Sequence, residues 1–355
     1  MKKIKILLTF DYELPLGYSV DYEKGLFAPA KLLLERAGKT GIPIVLFADI
    51  CSAIRFEQWD KQNYYDPFVA QLQDALSMGH DVQLHIHPHW MTSTFSDGVF
   101  HPSLDYSLSH FNEPKGGTTI ESIIEQGYQK LSTVCRAVTP DYKCIAYRAG
   151  GYDVGPESSR ILHKLNELGI RIDSSVIKGY FLDYGFSKVD YSNAPAESSW
   201  RVPLQGSMTA AASSGILELP VTSRPLSVAD VFKRRLRKLS RGAELRSRVY
   251  SNGGKGFLSH QGGETLLSAT RKVFNPVVLS LDREYLDHRD LADIVEHNVK
   301  LSDKETGDLV ITAIGHPKSM CAYHLDVMEK FVAEMRSRFG QQVSFVTYRD
   351  IATDR

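Results

Sequence analysis

The chain has 355 residues, 43% of them hydrophobic and 24% charged, which suits a folded globular protein and excludes a disordered one. Lysine plus arginine and aspartate plus glutamate stand at 42 each, so there is no overall field to gather nucleic acid or membrane, and any such contact has to be local. No stretch approaches the roughly 20 apolar residues that cross a bilayer, and mean hydropathy is negative.

At the N-terminus, Met1-Lys2-Lys3 precedes an apolar run, Ile4 to Phe10, that ends in Asp11. The run is shorter than a secretory core and no small-residue cleavage site follows, so it reads as a first strand, and a cytoplasmic location is expected. Cys51, Cys135, Cys144 and Cys321 are scattered without paired spacing, which fits reduced, buried thiols rather than a disulfide framework or thiolate metal site.

Short β-branched and aliphatic runs alternate with longer amphipathic stretches, which predicts parallel strands joined by helices. In chain order the predicted strands are Ile4 to Phe10, Ile42 to Ala48, Asp81 to His87, Cys144 to Tyr147, Ile170 to Ser175, Ile216 to Pro220, Val277 to Leu281, Leu309 to Ile314 and Val343 to Thr347. The predicted helices are Ala28 to Lys39, Pro67 to Met78, Thr119 to Ala137, Pro156 to Leu168, Val228 to Arg248, Leu291 to Leu301 and Ala322 to Phe339. Gly41, Gly79 and Gly169 each stand between a helix and a strand, where a glycine ends the helix. The count of βα units favours an α/β fold closed as a distorted barrel of about seven parallel strands over an open doubly wound sheet. A single domain, 1–355, is expected, with insertions near 90–117, 176–215 and 228–262.

The first insertion follows the C-terminal end of a strand, where an α/β barrel carries its active-site loops, and is expected to wall a cleft. The second holds Tyr180, Phe181, Tyr184, Phe186, Tyr191 and Trp200, which either anchor a long loop or offer rings for a sugar to stack on.

Three segments place metal-capable residues at predicted strand ends. The run Leu7-Leu8-Thr9-Phe10-Asp11-Tyr12-Glu13 puts two carboxylates at i and i+2, on one side of an extended chain. In Asp81 to Trp90, alternation places Gln83, His85 and His87 on one face, and His85 and His89 can converge on one ion if the chain turns at Pro88. The strand Leu309 to Ile314 ends in Gly315-His316. In a closed parallel sheet the C-terminal strand ends share one rim, so Asp11, Glu13, His85, His89 and His316 are expected to meet.

These segments resemble the polysaccharide deacetylase family, also called the NodB-homology or carbohydrate esterase four family. The first family motif is similar to Thr9-Phe10-Asp11-Tyr12-Glu13, in the spaced Asp-x-Glu form of its intracellular branches. The second, H-x-x-x-H, is similar to His85 to His89; the third to Tyr147-Arg148-Ala149-Gly150-Gly151-Tyr152; the last to Ile314-Gly315-His316. The third motif carries Gly-Gly where many members have proline.

The resemblance implies a distorted (β/α) barrel that binds a divalent metal, zinc first with cobalt, nickel or manganese as alternatives, and hydrolyses N-acetyl groups on carbohydrate. Glu13, His85 and His89 would be the metal ligands, with His87 competing. Asp11 would be the general base, paired with Arg148, and His316 the general acid. A backbone N–H near Gly151 and Tyr152 would meet the oxyanion, and His87 and Trp90 would face the substrate. Glu218, in Leu217-Glu218-Leu219-Pro220, stands as the candidate acidic partner of His316.

Between Phe232 and Arg248 basic residues crowd a stretch whose Phe232, Leu236, Leu239 and Ala243 follow helical spacing. The helix reads either as an ordinary solvated face or as a surface for an acidic or lipid-linked saccharide, with peripheral contact to anionic membrane through 231–248. The expected substrate is an N-acetylated amino sugar of a surface polysaccharide such as O-antigen, met before export. The alternatives are a small-amide hydrolase acting on a ureide or cyclic imide, and a non-catalytic carbohydrate-binding relative.

Overall fold

The structure, a computed structural model, describes residues 2–15, 21–97, 99–185, 187–249, 271 and 274–353, with backbone alone at 238, 241–249 and 353. The end of the third expected insertion, 250–262, lies outside the described residues. The strands are β1 (Ile4–Tyr12), β2 (Val45–Asp49), β3 (Asp81–Ile86), β4 (Thr94–Ser96), β5 (Val99–His101), β6 (Ala146–Ala149), β7 (Ile172–Asp173), β8 (Phe181–Asp183), β9 (Lys188–Asp190), β10 (Trp200–Val202), β11 (Ile216–Glu218), β12 (Ser223–Arg224), β13 (Val277–Val278), β14 (Leu309–Gly315) and β15 (Val343–Phe345). The α-helices are α1 (Ala28–Thr40), α2 (Ile50–Trp59), α3 (Asp66–Ser77), α4 (Ile120–Arg136), α5 (Ser158–Glu167), α6 (Val228–Val249), α7 (His288–Leu301), α8 (Ala322–Phe339) and α9 (Tyr348–Thr353).

Seven strands run parallel in the spatial order β11, β7, β6, β3, β2, β1, β14. β10 adds antiparallel beyond β11, and β15 pairs with the start of β1. The sheet curls until Val221, just past β11, bridges Thr312 of β14, and Ser280 bridges Ile314. Single bridges thus stand where a further ladder would close a regular barrel, which is the expected α/β barrel in distorted form.

The sequence reason is burial on both faces. Every residue of β1 except Lys5 is buried, the pattern of a parallel strand covered outside by helices and filled within. Outward residues such as Ile6, Leu8 and Phe10 join the larger core, while Leu7 joins Val45, Phe47, Ala146, Ile172, Leu217, Tyr348 and Ile351 inside the barrel. α9 therefore plugs one end, with Tyr348 edge-on to Phe47 at 5.5 Å between ring centroids. α1 ends at Gly41 in the left-handed region (φ 64°), as its position between helix and strand predicts.

Two elements differ from expectation. α2 starts at Ile50 directly after β2, with no turn residue and no capping bond from Asp49, so no local signal marks it. β7 is only Ile172–Asp173, because Ser174 and Ser175 leave the ladder and turn their hydroxyls to Arg148 and Asp173. In the second insertion Phe181, Tyr191 and Trp200 are buried, so these rings anchor the loop.

Candidate active site

Strand register builds the site. Asp49, His85 and Arg148 stand side by side across β2, β3 and β6, and side chains at one level of a parallel sheet share a face. On β1, Thr9 and Asp11 point into the same lumen, with Glu13 continuing just past the strand. The pairing of Phe10 with Gly315 sets His316 beside Asp11 across the β1–β14 junction.

Arg148 is fully buried and ties this layer together. Its Nη1 donates to Asp11 Oδ1 at 2.6 Å, its Nη2 to Thr9 Oγ1 at 2.9 Å and Ser174 Oγ at 3.1 Å, and its Nε to Ser174 O at 3.0 Å. The guanidinium also lies over the Phe47 ring at 4.1 Å, above the apolar plug.

Above this layer the acids and imidazoles converge. Asp11 Oδ2 lies 3.5 Å from His316 Nε2 and 3.9 Å from His85 Nε2. Glu13 Oε2 lies 3.6 Å from His85 Nε2 and touches His87 Nε2; its Oε1 lies 3.7 Å from His316 Nε2 and accepts from Lys318 Nζ at 2.9 Å. Glu13, His85 and His87 form one group with ligand atoms close enough for a single cation, and Asp11, Glu13 and His316 form another.

The chemistry of these donors fits a metal. His85 Nδ1 lies 2.9 Å from Arg148 O, which leaves Nε2 turned to the carboxylates without a hydrogen-bond partner. Both ring nitrogens of His89 are likewise buried without one. Unpartnered buried nitrogens are costly, and imidazoles grouped around carboxylates are the set that a divalent ion satisfies.

The electrostatics follow from crowding. Burial would raise the Asp11 carboxyl, but Arg148, with His85 and His316, overrides it and holds it below its ordinary value. Burial likewise opposes ionisation of Glu13, yet Lys318 and His87 bring it well below the usual carboxylate range. Burial pushes the His316 imidazole down, whereas Asp282, Asp11 and Glu13 together carry it above its ordinary value.

The structure corrects several sequence expectations. Glu218 is not the partner of His316: it lies behind Arg148 against Asp173, and burial and the Asp173 charge push its carboxyl well up. Asp282, just past the predicted strand Val277 to Leu281, holds His316 instead, with Oδ2 at 2.7 Å from Nδ1. His89 falls outside both ligand groups, its ring stacked on Tyr106 at 4.7 Å, while His87 falls within one. Trp90 is buried and its indole N–H donates to Asp49 Oδ2 at 2.6 Å, so it serves the wall rather than an open surface.

Gly151 and Tyr152 both take left-handed backbone (φ 61° and 64°), and strain at the non-glycine Tyr152 marks the turn above the site. Gly150 meets a steric demand: a Cβ there would stand 2.6 Å from both His87 Nδ1 and Ile86 O. Lys318 and Asp49 were not singled out from sequence. A strand-end acid, Asp49 after Phe47-Ala48, was the available signal for one; Lys318, two residues past His316, had none.

No protein-family profile matches the sequence, and no curated protein matches it. Solved structures do. One described as a glycoside hydrolase/deacetylase from Parabacteroides distasonis aligns with a TM-score of 0.56 at 11% identity over 98% of this chain and 69% of its own. A polysaccharide deacetylase structure from Pseudomonas aeruginosa PAO1 aligns with a TM-score of 0.50 at 12% identity, and an allantoinase with 0.50 at 13%, each over 99% of this chain and 90% of theirs. The chain therefore has the distorted (β/α) barrel fold of the polysaccharide deacetylases, a fold that the allantoinase shares.

Proposed function

We propose that this chain is a metal-dependent amide hydrolase that removes an N-acetyl group from an amino sugar of a surface polysaccharide or its precursor, O-antigen being the type in view. The observation that carries the reading is the meeting of Asp11, Glu13, His85 and His316 at one end of the barrel, with Arg148 on the first and Asp282 on the last. The polysaccharide-deacetylase fold supports it, and so do the four motif segments.

Glu13 and His85 would hold the cation, zinc by the imidazole and carboxylate donors. His87 is on offer for a third position because it lies in range, and His89 because its nitrogens have no other partner. The bound ion would polarise the acyl carbonyl and acidify water.

The chain's own groups supply the proton transfers. Asp11, kept ionised by Arg148, takes a proton from water as the water oxygen attacks the acyl carbon. His316, kept charged by Asp282, gives its Nε2 proton to the nitrogen as the carbon–nitrogen bond breaks, releasing acetate and the free amine. The Gly151-Tyr152 turn would bring a backbone N–H to the oxyanion. Access lies on the β14 side: the side chains of His316 and Lys318 are 18% and 17% exposed, against 1% for His85.

The small-amide alternative draws on the allantoinase alignment and on the depth of the site. Incubation of metal-loaded protein with N-acetylated amino sugars and with ureides, read by mass spectrometry, separates the two. Loss of an acetyl mass from a sugar is the expected result. Ring opening of a ureide with no sugar turnover moves the assignment to the small amide, and no turnover of either substrate class overturns the hydrolase reading.

A further inference from the structure

We propose that α6 is a docking surface for an anionic lipid bilayer. The helix is held to the protein by its polar side. Arg237 donates to Asp287 Oδ2 at 2.9 Å and to Tyr285 O at 3.0 Å and also contacts Asp290. Lys233 Nζ lies 3.5 Å from Asp290, Arg234 lies over the Tyr285 ring at 5.0 Å, and Asp230 in the first turn accepts both Nη atoms of Arg224 at 2.7 Å.

Among the described residues the opposite side is apolar and exposed. Val228, Phe232, Leu236 and Leu239 follow the spacing of a single helical stripe, and they are 74%, 65%, 67% and 76% exposed. A surface helix of a globular protein ordinarily turns such a stripe inward; here ion pairs face the body and the stripe faces away. A contiguous exposed apolar strip of this kind marks a contact surface.

Charge selects the occupant. By sequence, residues 228–249 carry eight lysines and arginines against two acids in a chain that is neutral as a whole, and three of the eight, Lys233, Arg234 and Arg237, turn to the body. Exposed Arg235 lies within the stripe, three residues after Phe232 and four before Leu239. A second copy meeting this face by two-fold symmetry would set like charges against each other. An anionic bilayer suits both features: the acyl boundary takes phenylalanine and leucine while lipid phosphates take the cations.

The test is co-sedimentation of the full chain with vesicles of phosphatidylcholine alone and of phosphatidylcholine mixed with phosphatidylglycerol, with sedimentation velocity alongside. Binding is expected to the mixed vesicles only, weakening as salt rises. Phe232→Ser, Leu236→Ser and Leu239→Ser should each lower it by about tenfold, and Arg235→Glu should lower it as well. All four side chains are exposed, so circular dichroism and the melting temperature should stay unchanged. Equal binding to both vesicle types, or none to either, overturns the proposal. So does a wild-type dimer that the three serine substitutions convert to monomer without any vesicle binding.

Discussion

His316 Nδ1 lies 2.7 Å from Asp282 Oδ2, and the other oxygen of Asp282 accepts from Ser280 Oγ at 2.5 Å. The pair orients the imidazole with Nε2 toward Asp11 and Glu13. Burial disfavours the charged ring, but Asp282, followed by the two site acids, reverses this and raises it above its ordinary value. On the proposed mechanism the active form has Asp11 ionised and His316 protonated, with the acid limb of a pH profile below the ordinary aspartate value and the alkaline limb above the ordinary histidine value. Asp282→Asn removes the raising charge, so the alkaline limb should move to lower pH and the rate at neutral pH should fall by about 10²-fold. An alkaline limb that stays in place in the pH–rate profile would falsify the role given to Asp282.

Asp11→Asn should remove the proton acceptor while preserving the fold, since an amide can still accept from Arg148 Nη1. Turnover is expected to fall by at least about 10³-fold, with metal content unchanged by elemental analysis. Near-normal turnover would assign the base to another residue.

His85→Ala should strip the metal, because His85 Nε2 lies 3.9 Å from Asp11 and 3.6 Å from Glu13 and has no hydrogen-bond partner. His87→Ala and His89→Ala decide the third position: the substitution of the true ligand lowers stoichiometry and the other leaves it. Full metal content in all three variants would dissolve the proposed centre.

Glu218→Gln should keep activity within roughly twofold, since Glu218 accepts from Val176 N at 3.1 Å, behind Arg148, and lies away from His316. Its carboxyl is raised in the folded protein, so its stability contribution is present below the unfolded value near 4.5 and lost as pH rises toward the folded value. Melting temperatures across that range should fall less in Glu218→Gln than in the wild type. A large loss of turnover would return Glu218 to the machinery.

Gly150→Ala forces a methyl against His87 Nδ1 and Ile86 O, both 2.6 Å away. A destabilisation of about 1–3 kcal/mol is expected, read by denaturant unfolding, and His87 should be displaced from Glu13. Unchanged stability and metal affinity would show that the turn yields without cost.

Much of the fold was legible because its cause is local. Runs such as Leu309 to Ile314 are apolar at every position but Thr312, as suits a strand buried on both faces, and the amphipathic period of Ala322 to Phe339 marks α8 to its ends. α2 was not legible, since its helical state follows from packing after β2 rather than from a cap. From sequence Glu218 stood as the candidate partner of His316, and Asp282, just past the predicted strand Val277 to Leu281, was not singled out. Only the closure of the sheet puts Asp282 beside His316 and leaves Glu218 behind Arg148 against Asp173.

The sequence by itself determined which side chains stand at strand ends, because alternation and burial are properties of neighbouring residues. It thereby set Asp11, Glu13, His85 and His316 on one rim. Which acid holds which histidine, whether His87 or His89 faces Glu13, and which side of α6 meets solvent were decided only in three dimensions. Those outcomes depend on strand register, on the turn at Gly150 and on ion pairs between residues far apart in the chain, and no local pattern encodes distances across a barrel.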